Sequence, residues 1–147
     1  MKYLKKRAGW LLTVGAIEIV PVPLHRWRLR WRGFNQAEIA AERISESLGW
    51  SVAADAIKRV RNPKPQADMP DKQSRIENML NVFACPPKND LSYLAGKTIL
   101  LIDDVSTTGS TLNDCARALK GVGAKEVIGF VFARGRLDSK NQRFVRF

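Results

Sequence analysis

Three compact apolar runs and two amphipathic stripes organise this chain. Residues 16–22 (AIEIVPV), 98–103 (TILLID) and 126–135 (EVIGFVFARG) are such runs. The first is rich in β-branched residues and the second shows no alternation, so strands buried on both faces are expected. In residues 35–49, Ile39, Ala40, Ile44 and Leu48 mark one helical face, and Gly49 fits a C-terminal cap. Leu112, Cys115, Ala116 and Leu119 fall at i, i+3, i+4 and i+7, which predicts a second helix ending near Gly121. Strand, helix and strand with short links imply parallel strands joined by a right-handed crossover. The predicted class is α/β: an open, mostly parallel twisted sheet flanked by helices.

The remaining segments are less regular. Residues 55–61 (DAIKRVR) read as a short strand or extended arm, and Gly96-Lys97 as a turn. Residues 62–73 contain three prolines and no apolar rhythm, which predicts a long mobile loop. Residues 74–83 regain helical character. The opening twenty residues join a basic front to an apolar stretch. That stretch is short, Glu18 interrupts it and no Ala-x-Ala site follows, so a first helix leading into a strand is expected rather than a signal peptide. No apolar run approaches the ~18–20 residues of a membrane span, so membrane insertion is not expected.

A length of 147 residues suits one domain spanning 1–147, with 136–147 expected as a loose C-terminal tail. Cys85 and Cys115 have neither zinc-site nor disulfide-framework spacing, and read as free thiols of a cytoplasmic protein. The formal charge of +11 is uneven: residues 1–75 carry 15 Lys/Arg against 7 Asp/Glu, and residues 76–147 carry 10 against 7. A basic surface attracts phosphate, whether nucleic acid or a small polyphosphate.

The sharpest chemistry lies in residues 99–111 (ILLIDDVSTTGST). Asp103 and Asp104 sit at the carboxyl end of a predicted strand, where open α/β sheets bind ligands. Val105, Ser106, Thr107, Thr108, Gly109, Ser110 and Thr111 then bridge to a helix N-terminus. Free backbone N–H groups, the helix dipole and several hydroxyls make that turn a phosphate seat. Carboxylates beside a phosphate repel it unless they hold something attached to it, such as sugar hydroxyls or a magnesium ion. A ribose 5-phosphate satisfies both halves. A Walker A loop and a dinucleotide fingerprint are excluded, because their glycine patterns are absent. In residues 25–36 (HRWRLRWRGFNQ), Arg26, Arg28 and Arg30 alternate with Trp27, Leu29 and Trp31. The alternation suits single-stranded nucleic acid, although packing of the tryptophans against the body is the expectation.

The 99–111 segment resembles the phosphoribosyl diphosphate (PRPP) motif of type I phosphoribosyltransferases. Residues 19–40 (IVPVPLHRWRLRWRGFNQAEIA) and 59–85 resemble two signatures of the ComF-like, or competence protein F, group of that superfamily. The resemblance covers residues 17–135, without the cysteine-rich N-terminal module of many relatives. It implies a 5-phosphate site in residues 105–111 and a diphosphate site around His25, Arg32, Gly33, Asn35 and Gln36. It also implies a mobile loop bearing Gln66, Arg75 and Asn78, with Arg75 neutralising the leaving diphosphate. Asp103, Asp104 and Arg75 are then the catalytic candidates. Magnesium is the implied cofactor, touched by Asp103 and Asp104 through water or ribose rather than directly. The implied reaction transfers ribose 5-phosphate from PRPP to an unidentified base or amine acceptor and releases diphosphate. The alternative is a PRPP-binding protein without turnover, acting in regulation or DNA uptake and binding single-stranded DNA.

Overall fold

The computed structural model describes residues 9–13, 15–61, 81–87, 90–106, 109–134 and 144–147. A 3₁₀ turn at Gly9–Thr13 leads into strand β1 (Ile17–Pro21), helices α1 (Arg26–Arg32) and α2 (Gln36–Leu48), and the short strands β2 (Ser51–Val52), β3 (Lys58–Arg59) and β4 (Phe83–Ala84). A second 3₁₀ turn, Ser92–Leu94, precedes β5 (Thr98–Ser106), α3 (Ser110–Gly121), β6 (Glu126–Arg134) and β7 (Phe144–Arg146). Five strands form one sheet in the order β2-β1-β5-β6-β7, while β3 and β4 pair separately and antiparallel. The β2, β1, β5 and β6 neighbours run parallel, and β7 alone runs antiparallel.

Burial follows strand parity, because successive side chains point to opposite faces. Ile99 and Leu101 of β5 join Leu112, Cys115, Ala116 and Leu119 of α3 in one core. Leu100 and Ile102 join Ala37, Ala41 and Ile44 of α2 in the other. The unbroken apolar run of β5 is therefore a strand covered by a helix on each side. Burying each leucine or isoleucine contributes about 1.5–3 kcal/mol.

The β1–β5 ladder stops early, and this creates the crevice. Its last register pair is Pro21 with Ile102, followed by one bond from the Val22 N–H to the Ile102 carbonyl at 2.8 Å. The strand ends there, and α1 starts at Arg26. The β5–β6 ladder continues to Ser106 and Arg134. Beyond Ile102, β5 thus keeps a strand neighbour on one side only. The chain leaves β1 toward β2 and leaves β5 toward β6, so the gap is the point where the winding reverses.

Several expectations are corrected. Residues 144–146 are not a loose tail: β7 pairs with β6, the Phe147 N–H donates to the Val127 carbonyl at 2.9 Å, and Arg146 pairs with Glu126. On α2 the buried face is Ala37, Ala41 and Ile44, while Ile39 is exposed. Small alanines let the helix approach the sheet closely there. Phe83 and Ala84 form a strand, not a helix end. The first helix expected ahead of β1 is a short 3₁₀ helix at Gly9–Thr13. Residues 26–32 are a helix without one buried residue, so the tryptophans do not pack against the body: Trp27 is 72% and Trp31 78% exposed. In a helix, Trp27 and Trp31 share a face at i, i+4, and the strand-like alternation loses its meaning. The proline-rich stretch lies outside the described residues.

Asp114, which sequence patterning did not single out, ties α3 to β4. It is buried, and accepts the Asn81 N–H at 3.0 Å and the Phe83 N–H at 2.8 Å. Arg117 Nε donates to the same carboxylate at 2.8 Å, and Arg117 Nη2 to the Phe83 carbonyl at 2.9 Å. Glu18 of β1, also buried, pairs with Lys97 at 2.8 Å. Removing the Asp114 carboxylate leaves the buried Phe83 N–H without its acceptor, while the half-exposed Arg117 keeps its bond to the Phe83 carbonyl. Asp114→Ala is expected to cost about 2 kcal/mol, read as a lower urea midpoint at constant m-value, and a loss under about 0.5 kcal/mol would contradict the assigned role.

Candidate functional site

The site is assembled where β5 outruns β1. Strand β5 extends past the predicted end, so both acids lie within it. Parity then separates them. Asp103 shares the α3 side with Ile99 and Leu101, and Asp104 shares the α2 side with Leu100 and Ile102. Asp103 is buried, and its Oδ1 accepts the Asp104 N–H at 2.9 Å. Its charge, after burial, helps to hold the Cys115 thiol protonated. Asp104 is half-buried and borders cavities on both sides.

A cavity of about 280 Å³ opens on the α3 side, and His25, Arg28, Arg59, Asp103, Asp104 and Thr111 are among its lining residues. A second cavity, of about 420 Å³, shares His25 and Arg59 and adds Arg26, Lys58 and Arg61. Together they form a basic cleft between the chain leaving β1 and the strand β3. Arg59 lies over the Phe83 ring, 5.5 Å from its centroid, and its buried Nε has no hydrogen-bond partner. Burial first, and the neighbouring Arg28 cation second, hold the Arg59 guanidinium below its ordinary pKa. Two crowded cations and an unmatched donor favour an anion in this cleft. Sequence reading missed Arg59. Its only signal was the Arg59–Arg61 spacing of a strand, in a segment whose place is decided by tertiary pairing.

The turn at residues 105–111 is described at its two ends. Gly109 caps α3 with φ 78°, a left-handed conformation that favours glycine, and no side chain caps the helix. That N-terminus, with the dipole of a twelve-residue helix behind it, suits an anion. Ser110 and Thr111 open the helix, and Thr111 borders the cavity. Val105 and Ser106 end β5. Thr107 and Thr108 lie outside the described residues, as do Gln66, Arg75 and Asn78.

The five residues expected at a diphosphate site separate. His25 borders the cleft and N-caps α1, its Nδ1 accepting the Trp27 N–H at 3.1 Å. That bond leaves the neutral ring's proton on Nε2, a donor. Arg32, Gly33 and Asn35 do not border the cleft. Gly33, at φ 80°, closes α1 rather than opening a helix. Asn35 opens α2 instead: its Oδ1 accepts the Ala37 N–H, and its Nδ2 donates to Val22 O and Glu38 Oε1, each at 3.1 Å. Its polar atoms hold the β1 exit against α2. Arg32 donates to Gln36 at 3.1 Å, and Gln36 borders a different cavity with Asp104.

Among the described residues, no group of three or more His, Cys, Asp or Glu is arranged to hold a metal ion. Two adjacent carboxylates are an incomplete set, but they fit magnesium, which usually takes its other ligands from water and substrate oxygens. No helix among these residues is long and apolar enough to cross a membrane.

The phosphoribosyl transferase domain family matches residues 33–146. Competence protein F of Haemophilus influenzae is 35% identical over 117 residues, covering 79% of this chain and 49% of that protein. DNA utilization protein YhgH of Salmonella typhi is 34% identical over 109 residues, covering 74% of this chain and 45% of that protein. The chain thus spans about half the length of the curated relatives it matches. A solved glutamine PRPP amidotransferase from B. subtilis, complexed with ADP and GMP, aligns with a TM-score of 0.48 and 18% identity, over 80% of this chain and 22% of that one.

The cleft assignment separates Arg59 from Arg32. Arg59→Gln is expected to weaken binding of inorganic diphosphate by about tenfold, or about 1.4 kcal/mol, in titration calorimetry. Arg32→Gln is expected to change it less than about threefold, being outside the cleft. The reverse order would return the diphosphate site to the α1–α2 corner.

Proposed function

The chain belongs to the phosphoribosyl transferase domain family and is similar within it to competence protein F, and from that premise we propose that it transfers ribose 5-phosphate from PRPP to a nitrogenous acceptor. The observation that carries this reading is the convergence of Asp103, Asp104, Arg28, Arg59 and His25 on one cavity at the winding reversal, beside the N-terminus of α3. A 5-phosphate on the turn at residues 105–111 would place ribose hydroxyls at the acids. The diphosphate would extend into the cleft, against Arg28, Arg59 and the His25 ring.

In this mechanism no side chain becomes a covalent nucleophile. The nitrogen lone pair of the acceptor bonds to C1 as the C1–O bond breaks, and that electron pair leaves with diphosphate. Positioning and charge neutralisation supply the acceleration. Asp104 orients the ribose, and Asp103 fixes Asp104 through its backbone N–H. Arg28 and Arg59 stabilise the charge that grows on the leaving group. Arg75, with Gln66 and Asn78, keeps its proposed place on a loop that closes over PRPP by family resemblance. Magnesium, held by Asp103 and Asp104 through water or ribose hydroxyls, would screen the diphosphate and ease its departure. The proposed compartment is the cytoplasm, in keeping with two free cysteines.

A second reading, PRPP binding without turnover in DNA uptake, draws support from α1. Its two exposed tryptophans share a face, arginines flank them, and a relative is named a DNA utilization protein. Single-stranded DNA would stack on such a face and be held by the arginines.

Asp103→Asn with Asp104→Asn is expected to keep the fold and to weaken PRPP–magnesium binding by tenfold or more, about 1.4 kcal/mol. Unchanged calorimetric affinity in the folded double variant would end the ribose assignment. For the second reading, Trp27→Ala with Trp31→Ala should weaken single-stranded DNA binding by at least about tenfold and leave PRPP binding intact. Arg26→Gln with Arg30→Gln should flatten the logarithmic salt slope by about 1.4. A wild-type chain without affinity for DNA would remove this reading.

A further inference from the structure

The outer of the two cleft cavities carries more positive charge than a diphosphate uses. Arg28, Arg59 and the His25 ring line the inner cavity beside the acids. The outer cavity, about 420 Å³, keeps His25 and Arg59 and adds Arg26, Lys58 and Arg61. Neither Asp103 nor Asp104 borders it, so a uniformly anionic chain meets no carboxylate there. The arm that carries Lys58 and Arg61 is pinned in place: the Val60 and Arg61 N–H groups both donate to the Val82 carbonyl, at 2.8 and 3.3 Å. Val60, between Arg59 and Arg61 in sequence, is 58% exposed and lines the cavity together with Pro23 and Leu24. Inorganic phosphate has no use for apolar walls, whereas a nucleotide chain lays sugars and bases against them.

Helix α1 joins this cavity to the exposed tryptophans. At 3.6 residues per turn, Trp27 and Trp31 share one face, with Arg26 and Arg30 on one flank and Arg28 and Arg32 on the other. Arg26 borders the outer cavity and Arg28 the inner one. The stacking face and both cavities are thus neighbours along a single helix. Resting on the PRPP site and on the single-stranded DNA reading of α1, we infer that the outer cavity carries the DNA backbone from the tryptophan face onto the β3 arm, and that DNA and PRPP exclude one another. A base stacks on Trp27 or Trp31, and the phosphates that follow pass Arg26 toward Lys58 and Arg61. On that path a phosphate lies at His25 and Arg59, where the diphosphate of PRPP would lie. Two anions at one guanidinium repel each other, and each loses the cation that would compensate it. The amount of PRPP bound then sets how much DNA the chain holds.

The test uses the full chain, a short labelled oligothymidylate followed by fluorescence anisotropy, and PRPP with magnesium followed by calorimetry. PRPP at about ten times its own Kd should raise the apparent Kd of the oligonucleotide about tenfold, as mass action requires of exclusive ligands. Sodium sulfate at equal ionic strength should not. The oligonucleotide should weaken PRPP binding in return. Lys58→Gln with Arg61→Gln, both at exposed positions, should flatten the logarithmic salt slope of oligonucleotide binding by about 1.4 and leave PRPP affinity unchanged. Arg59→Gln should weaken both ligands. An oligonucleotide held equally well with and without bound PRPP overturns this inference and leaves both readings beneath it standing. A Lys58–Arg61 double variant with an unchanged salt slope does the same. A wild-type chain without affinity for the oligonucleotide overturns the α1 reading and this inference with it, and one without affinity for PRPP overturns the PRPP site and this inference with it.

Discussion

The backbone hydrogen bond from Val22 to Ile102 is the last link between β1 and β5, and the candidate site depends on where it falls. Beyond Val22 the chain passes through Pro23 and enters α1 at Arg26, so β1 makes no further bond to β5. β5 is held in the sheet by β6 for another turn of the ladder. Asp103 and Asp104 therefore leave a rigid, doubly covered strand at the position where one neighbour disappears. Had β1 continued, its backbone would fill the crevice. Had β5 stopped with it, the acids would sit on a loop without a fixed relation to α3. Asn35, bonded to the Val22 carbonyl, reinforces the same point from the α2 side.

The parts of this arrangement that were legible in the sequence are those decided by burial and local geometry. The 98–103 run is apolar at every position because α2 and α3 cover opposite faces, and no other environment explains it so simply. The i, i+3, i+4, i+7 stripe of α3 matches its buried residues. Gly49 has the positive φ that a C-terminal helix cap suggested. In contrast, RWRLRWR alternates like a strand, and its helicity is a matter of context. His25 caps the helix, Gly33 closes it, and no tertiary burial opposes it. Arg59 and Asp114 were illegible for a related reason. Each acquires its role only when the β3–β4 pair docks near α3, a pairing carried by two residues per strand. Sequence periodicity is blind to elements that short.

Electrostatics explains why adjacent acids and arginines coexist here. Asp103 and Asp104 start from opposite faces of β5 and both border the cleft cavity, where Arg28 and Arg59 offset their charge. Arg28 and Arg59 crowd one side only. A ligand with a neutral, hydroxyl-bearing centre and an anionic end matches that gradient along one axis. A uniformly anionic ligand would meet the carboxylates without compensation. The overall basicity of the first half of the chain adds long-range attraction for polyphosphate, while the local asymmetry sets its orientation.

The same asymmetry separates substrate capture from chemistry. Capture of a polyanion needs only the cleft, the acids and the N-terminus of α3. Transfer needs in addition a dry approach to C1 from the side that the arginines do not occupy. The α2 side offers apolar cover at Asp104 because Ile39 and Phe132 are left out of the core beneath them. Their exposure is thus not a packing defect of α2, whose alanine face is fully seated, but surplus apolar surface placed beside a carboxylate.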